Sequence, residues 1–456
     1  MSKPVVSRFI EHLASGKTWG LAGLIMVISM LSGCSESDVV TEQPIKVEVV
    51  KQGGRYHLHR NGVPYTVRGA GYTGDDLSFF KAHGGNAIRT WATHRPDGAS
   101  MMGFLDEAHA LGISVSLNLP VPAARWKVDY TNEQYTAELM AKLKTEVLKY
   151  KDHPALLTWF IGNELDHAAT DFAVYDFVDD VAVMIKQIDP NHPTTTTLTG
   201  LKANVLNEVN QRAPNLDFVS FQVYGQIHNL PEFVQSQQIK QPIMITEWGA
   251  IGFWEMPQTE WGAPIEMTST AKASNYHNSY QKISAVNNIM IGNYVFLWGQ
   301  KQERTPTWFG LFTDRGEKTE AVNVMQHIWT GEWPDNRAPQ ISQFNLNNYE
   351  ADDNITLTAG QPYPASVGAI DPDGDGLSYR WEVKPESDSN NKGGDYEEAI
   401  ANLSDSVANQ EHNKASIIAP KQPGAYRLFV YVNDNNNHVG HANIPFRVVA
   451  EASQPN

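Results

Sequence analysis

Two glutamates each stand where an apolar run stops. Glu164 closes the stretch Ala155-Leu-Leu-Thr-Trp-Phe-Ile-Gly-Asn-Glu164, and Glu247 closes Pro242-Ile-Met-Ile-Thr-Glu247. A strand buried on both faces reads as a nearly continuous hydrophobic run, so an acid at its end belongs at the carboxyl edge of a parallel sheet. That edge is where α/β barrels place their reacting groups. Two carboxyl groups brought together there can break a glycosidic bond. Held roughly 5 Å apart, one protonated group releases the leaving oxygen while the other, ionised, attacks the anomeric carbon.

The elements that must position this pair are legible as eight strand-like segments. They lie near Thr66 to Gly69 and at Asn86–Trp91, Ile113–Leu119, Leu156–Ile161, Thr194–Thr199, Phe218–Tyr224, Ile243–Thr246 and Asn293–Trp298. Helix-patterned stretches such as Gly103–Leu111 and Glu133–Tyr150 separate most of them. Count and alternation predict an α/β fold, a (β/α)8 TIM barrel. Alternation from Ile45 onward, broken by Gly53-Gly54, predicts a β-hairpin ahead of it, and the catalytic domain is expected over 44–335. Beyond Pro339 the helical period fades. Short alternating strands such as Leu377–Val383 and Tyr426–Val432, set between Asn, Asp, Gly and Pro turns, predict a second domain over 338–456, a β-sandwich; the acidic turn at Asp371 and the segment Pro423–Asp434 resemble immunoglobulin-like modules of the PKD and cadherin type.

Composition narrows the classes of partner. With 456 residues, 41% of them hydrophobic, the chain is globular and too long for a single core. Its net charge of −16 argues against nucleic acid, whose backbone is gripped by clustered Lys and Arg. The one cysteine, Cys34, excludes an intramolecular disulfide and a cysteine-built zinc site. Lys3, Arg8 and Lys17 precede the apolar stretch Leu21–Leu31, which is too short to span a bilayer comfortably and reads as a signal peptide. Its end, Leu31-Ser-Gly-Cys34, resembles the lipobox of bacterial lipoproteins. The resemblance implies a signal peptide over 1–33, lipidation of Cys34, a polar tether over 34–43 and, with Ser35 after the cysteine, an outer-membrane location.

Gly162-Asn163-Glu164, with its approach from Asp152, resembles the fourth-strand signature of glycoside hydrolase clan A, and Thr246-Glu247-Trp248 resembles the seventh-strand signature. The likeness spans roughly residues 60 to 330. Within the clan, Asn61-Gly-Val-Pro-Tyr-Thr-Val-Arg-Gly resembles the start of the barrel in family 2 β-glycosidases, while Asn86–Trp91 and the segment from Phe104 also resemble fungal β-1,3-glucanosyltransferases. The resemblance implies Glu164 as acid/base and Glu247 as nucleophile, facing each other from strands four and seven. It assigns Asn163 to the sugar 2-hydroxyl, Arg89 and Tyr224 to hydrogen bonds with Glu247, and Trp298 to the floor beneath the sugar. Trp91, Trp126, Trp248, Trp254, Trp261 and Trp308 fall on loops or strand ends, where two or three of them are expected to touch sugar, Trp91 and Trp248 foremost.

This chemistry requires no cofactor and no metal. The sequence has no His-Glu-x-x-His and no Gly-x-Ser-x-Gly, and His94, His167 and His228, which follow predicted strands, read as solvated loop histidines or, alternatively, as contacts to sugar hydroxyls. Asp371-Pro-Asp373-Gly-Asp375-Gly376 with Glu382 matches the spacing of an EF-hand loop. Leu377–Val383 alternates like a strand, however, which would carry Glu382 too far from Asp375 to close a calcium cage. The acidic turn remains a candidate for weak calcium binding. The sequence therefore reads as a retaining β-glycosidase acting on β-linked glucan or related oligosaccharides. A β-glucanosyltransferase using the same intermediate and a non-catalytic carbohydrate-binding surface lipoprotein are the alternatives.

Overall fold

The computed structural model describes residues 44–389 and 393–451. The signal peptide, Cys34 and the tether expected from the sequence lie outside the described residues. Strands Val47–Gln52 and Arg55–Arg60 pair antiparallel, joined by Gly53 and Gly54 at φ 58° and 80°. A two-residue turn with both φ positive matches the right-handed twist of the strands it joins, and glycine takes that conformation without strain. The hairpin closes the amino end of the barrel. Val47 donates its N–H to Asn191 at 2.7 Å, Tyr56 donates to Asn288 at 2.9 Å, and Val47 and Leu58 pack with Phe160, Met244 and Tyr294 inside.

Eight parallel strands form the barrel: β1 Gly69–Tyr72, β2 Ala87–Arg89, β3 Ser114–Leu119, β4 Leu156–Ile161, β5 in two pieces, β6 Val219–Gln222, β7 Ile243–Trp248 and β8 Met290–Trp298. Residues Thr194–Thr195 of β5 pair with β4 and residues Thr197–Thr199 pair with β6. Thr196 between them sends its hydroxyl to the Ile161 carbonyl at 2.7 Å, so the ring closes through this kinked strand. A helix follows each strand: α1 Leu77–Ala82, α2 Met101–Ala110, α3 Glu133–Tyr150, α4 Val174–Ile188, α5 Ala203–Arg212, α6 Leu230–Ser236, α7 Ser269–Ala285 and α8 Glu320–Thr330. Helix α4 shows why. Val174, Phe177, Val178, Val181 and Ile185 recur at three- and four-residue spacing and are all buried against the sheet. The expected barrel is present, with its first strand a few residues later than the sequence pattern placed it.

The C-terminal sandwich has two four-stranded sheets. Gln340–Leu346, Pro362–Ile370, Lys414–Ile418 and Val407–Glu411 make one; Thr356–Thr358, Val439–Val449, Gly424–Asn433 and Ser378–Pro385 make the other. Leu346, Val367, Val383, Ile417, Leu428 and Phe446 interdigitate between them. Glu382 lies within the strand Ser378–Pro385 and pairs with Arg380 and Lys384. It is thus committed away from the acidic turn, where Asp371 accepts the N–H groups of Asp373 and Asp375. Among the described residues no three acids, histidines or cysteines converge as a metal site.

Barrel and sandwich meet over a buried polar cluster. Glu266 accepts from Lys272 at 2.5 Å, from Thr305 at 2.6 Å and from Asn443 of the sandwich at 2.6 Å. Arg427 reaches from the sandwich to the Pro264 carbonyl at 2.9 Å and to Asn443 at 2.7 Å. Burial opposes ionisation of Glu266, but Lys272 and these donors overcome it and hold the carboxyl at about 2. A depressed folded-state value means that the stabilisation is complete above the ordinary 4.5 and is lost as pH falls towards 2. Lys272→Met should destabilise the protein by about 3 kcal/mol, because Glu266 would remain buried without its counter-charge. Urea unfolding would show this as a lower midpoint with an unchanged slope.

Candidate active site

At the carboxyl end of the barrel a cavity of about 960 Å³ is lined by Glu164, Glu247, Asn163, Tyr224 and Trp91. Glu247, in β7, is held by four donors. Its Oε1 accepts from Arg89 at 3.1 Å, Trp91 at 2.9 Å and Gln222 at 3.1 Å, while its Oε2 accepts from the Tyr224 hydroxyl at 2.8 Å. Burial first, and then the charge of Glu247, pushes the Tyr224 hydroxyl well above its ordinary range. It therefore keeps its proton and remains a donor.

Arg89 ends β2 and is fully buried. A charge there is tolerable only when paired, and the two terminal nitrogens of Arg89 reach three acceptors. Besides Glu247, it donates to the Thr246 carbonyl at 3.1 Å and to Asn163 Oδ1 at 2.8 Å. Gln222, which ends β6, donates to the same Asn163 oxygen at 2.7 Å. Two donors thus fix the side-chain oxygen of Asn163.

Glu164 follows β4 through an irregular turn. Gly162 has φ 75°, and a Cβ there would sit 2.7 Å from the Leu165 side chain; Glu164 itself has φ 49°. A side-chain-bearing residue in the left-handed region costs about 1–3 kcal/mol unless its surroundings impose it. The surroundings do so here through the Glu164 N–H, which donates to Thr197 of β5 at 3.0 Å. Burial, then the negative charges of Glu247 and Asp166, push the Glu164 carboxyl up to about 8. Glu164 therefore keeps a proton at neutral pH, which is what a carboxyl group needs to act as a general acid there. Asp166 is held by the Thr199 N–H at 2.9 Å and Lys202 at 3.1 Å. Asp166→Asn should lower the Glu164 value, and the alkaline limb of a pH–activity profile would move to lower pH.

Two of the expected aromatic contacts are placed otherwise. Trp298 ends β8 but turns into the helix layer, where its ring packs against Phe80, Phe312 and Trp329 at centroid distances of 5.1, 5.3 and 5.5 Å. It is 2% exposed and does not line the cavity. Phe296, two residues earlier, takes the position in the wall. Trp248 is likewise fully buried, donating to Asn293 at 3.0 Å and packing on Tyr276 and Tyr280 of α7. As the neighbour of Glu247 in an extended strand, it must face the opposite way. Of the other tryptophans, Trp91 and Trp254 line the cavity, Trp308 is buried, and Trp126 is exposed beneath the Arg125 guanidinium. His167 also lines the cavity.

Residues 69–331, more than half of the chain, match the family described as glycosyl hydrolases family 2, TIM barrel domain. The chain belongs to glycosyl hydrolases family 2. This family 2 barrel is also similar to mannan endo-1,4-beta-mannosidase F of Aspergillus clavatus, 32% identical over 111 residues that cover 21% of this chain and 25% of the relative. The Aspergillus fumigatus protein of the same name is 29% identical over the same shares. The chain thus matches about a quarter of the length of these curated relatives. Among solved structures, a calcium-binding mutant of Bacteroides uniformis beta-glucuronidase 2 aligns with a TM-score of 0.50 at 13% identity, covering 89% of this chain and 48% of that one. That likeness concerns the fold.

The family 2 site contains one residue that sequence reasoning missed in spite of a signal. Gln222 is a polar side chain near the end of the apolar run Phe218–Tyr224, the same pattern that marks Glu164 and Glu247. Its pairing opposite Glu247, where the β6–β7 register shifts, brings its amide to the carboxylate.

Proposed function

We propose that this family 2 protein is a retaining β-glycosidase working by double displacement, with Glu164 as acid/base and Glu247 as nucleophile. One observation carries the reading: a carboxylate gripped by four donors shares its cavity with a second carboxyl raised to about 8. Below that pH Glu164 carries the proton that the leaving oxygen needs. As the bond from the anomeric carbon to that oxygen breaks, the Glu164 proton passes to the oxygen and a Glu247 oxygen bonds to the anomeric carbon. Esterified Glu247 is neutral, so one of the charges that, after burial, raise Glu164 is gone and its value falls. Glu164, now a carboxylate, takes a proton from water as the water oxygen attacks the anomeric carbon and releases Glu247.

The supporting side chains have roles in the same scheme. Asn163, its oxygen held by Arg89 and Gln222, has its amide N–H groups for the sugar 2-hydroxyl, a contact that strengthens towards the oxocarbenium-like transition state. Trp91 and Phe296 offer ring faces to the apolar C–H surface of a pyranose. Substrate is proposed to be a β-linked glucan or related oligosaccharide, with β-mannan beside it because the curated relatives bear a mannanase name. Lipidation at Cys34 would hold the enzyme in the bacterial cell envelope, at the outer membrane, a reading supported by the leader pattern alone.

The stereochemistry of the first-formed product tests the mechanism. Proton NMR during hydrolysis of a β-glycoside from a polysaccharide-derived panel should show the β-anomer appearing first, and initial α-anomer would contradict it. Transglycosylation is the second reading, favoured by the aromatic lining of the cavity, where a sugar acceptor can compete with water. Longer products accumulating at high substrate concentration would identify it. A disused barrel that only binds carbohydrate would have no need for the strained Glu164 turn or for the complete cage around Glu247.

A further inference from the structure

One wall of the cavity comes from outside the barrel. Gly393, Gly394 and Tyr396 line it, and they belong to the sandwich, in the connection that follows the strand Ser378–Pro385. Three ties hold these residues over the mouth. Asp395 pairs with Arg125, on the loop after β3, at 3.1 Å; Glu303, after β8, accepts the Gly394 N–H at 3.2 Å; and the Arg304 N–H donates to Glu397 at 2.9 Å. Gly393 lies within van der Waals contact of Trp254, and its φ of 84° suits glycine. The contact brings the sandwich connection to the loop after β7.

Tyr396 is 76% exposed and Trp254 50% exposed, yet both border the cavity that holds Glu164 and Glu247. Trp254 packs edge-on against Tyr224 and Phe253 at centroid distances of 5.6 and 4.9 Å, and the backbone beside the more open Tyr396 is fixed by the three ties. The inner aromatics Trp91 and Phe296 already serve one monosaccharide at the cleavage point. The outer pair lies where a longer substrate would continue.

Resting on the glycosidase reading above, we propose that residues 393–397 of the sandwich form a subsite for sugar units adjoining the one that is cleaved, with Tyr396 and Trp254 as its ring faces. The preferred substrate is then a β-linked oligosaccharide or polysaccharide rather than a simple glycoside. The sandwich is then part of the substrate site.

The test compares kcat/KM on an aryl β-glycoside with one sugar and on β-linked oligosaccharides of increasing length from the same sugar. Tyr396→Ala should lower the long-to-short ratio about 5- to 10-fold, the scale of one lost ring contact, and Asp395→Ala should lower it in the same direction by freeing the connection from Arg125. Tyr396→Phe should restore the ratio, since the ring face and not the hydroxyl is the contact. A ratio unmoved by Tyr396→Ala, or equal losses on all lengths, overturns the subsite while leaving the glycosidase reading standing. Absence of turnover by the unaltered protein on every glycoside overturns both.

Discussion

Replacing Glu247 with alanine is expected to lower turnover roughly 10⁶-fold, the scale on which loss of a catalytic nucleophile is felt, while the sugar still binds. The expectation follows from the site's arrangement. Arg89, Trp91, Gln222 and Tyr224 converge on this one carboxylate, and no other group in the cage can form the glycosyl ester. Binding should persist because Asn163 and the aromatic walls are untouched, so calorimetric titration with an oligosaccharide would still give heat. The variant carries a second signature. Removing the Glu247 charge withdraws one of the causes that raise Glu164, so Glu164 should titrate at lower pH than in the unaltered protein. Turnover close to that of the unaltered protein would exclude Glu247 as nucleophile.

Replacing Glu164 with alanine should cost about 10²–10⁴ in kcat/KM on substrates with poor leaving groups, the usual contribution of a positioned general acid. A dinitrophenyl glycoside, whose leaving group needs no proton, should lose far less in the first half-reaction. The pH profile separates this role from a structural one. In the unaltered enzyme kcat/KM should fall as pH rises through about 8, where Glu164 gives up its proton. In Glu164→Ala that limb should vanish. Equal losses on good and poor leaving groups, or an alkaline limb that survives, would remove Glu164 from the acid role.

The barrel was readable because its strands are buried on both faces. Leu156–Ile161 and Ile243–Trp248 are buried along their whole length and stand out from their surroundings as apolar runs, which makes the polar residue at the end of each conspicuous. The same logic locates a residue along the strand but says nothing of the face. Trp298 and Trp248 show the consequence: both stand at strand ends, and both turn into the helix layer against Phe80, Trp329 and Tyr276. Gln222 carries the same signal, but an amide among aromatic and aliphatic neighbours is less conspicuous than an acid. The contribution of Tyr396 was invisible for another reason. It depends on ion pairs and backbone contacts such as Arg125 with Asp395 and Glu303 with Gly394, which join segments far apart in the chain and leave no periodic trace.

The most direct test of the central claim is to trap the covalent intermediate. A 2-deoxy-2-fluoro glycoside with a good leaving group slows both half-reactions, and its ready departure lets the ester accumulate. Digestion and mass spectrometry should then find a single fluorosugar on the peptide that contains Ile243–Trp248, carried by Glu247, with none in the Glu247→Ala protein. A label on another residue, or steady turnover of the fluoro glycoside with inverted product and no ester, would contradict double displacement at this pair.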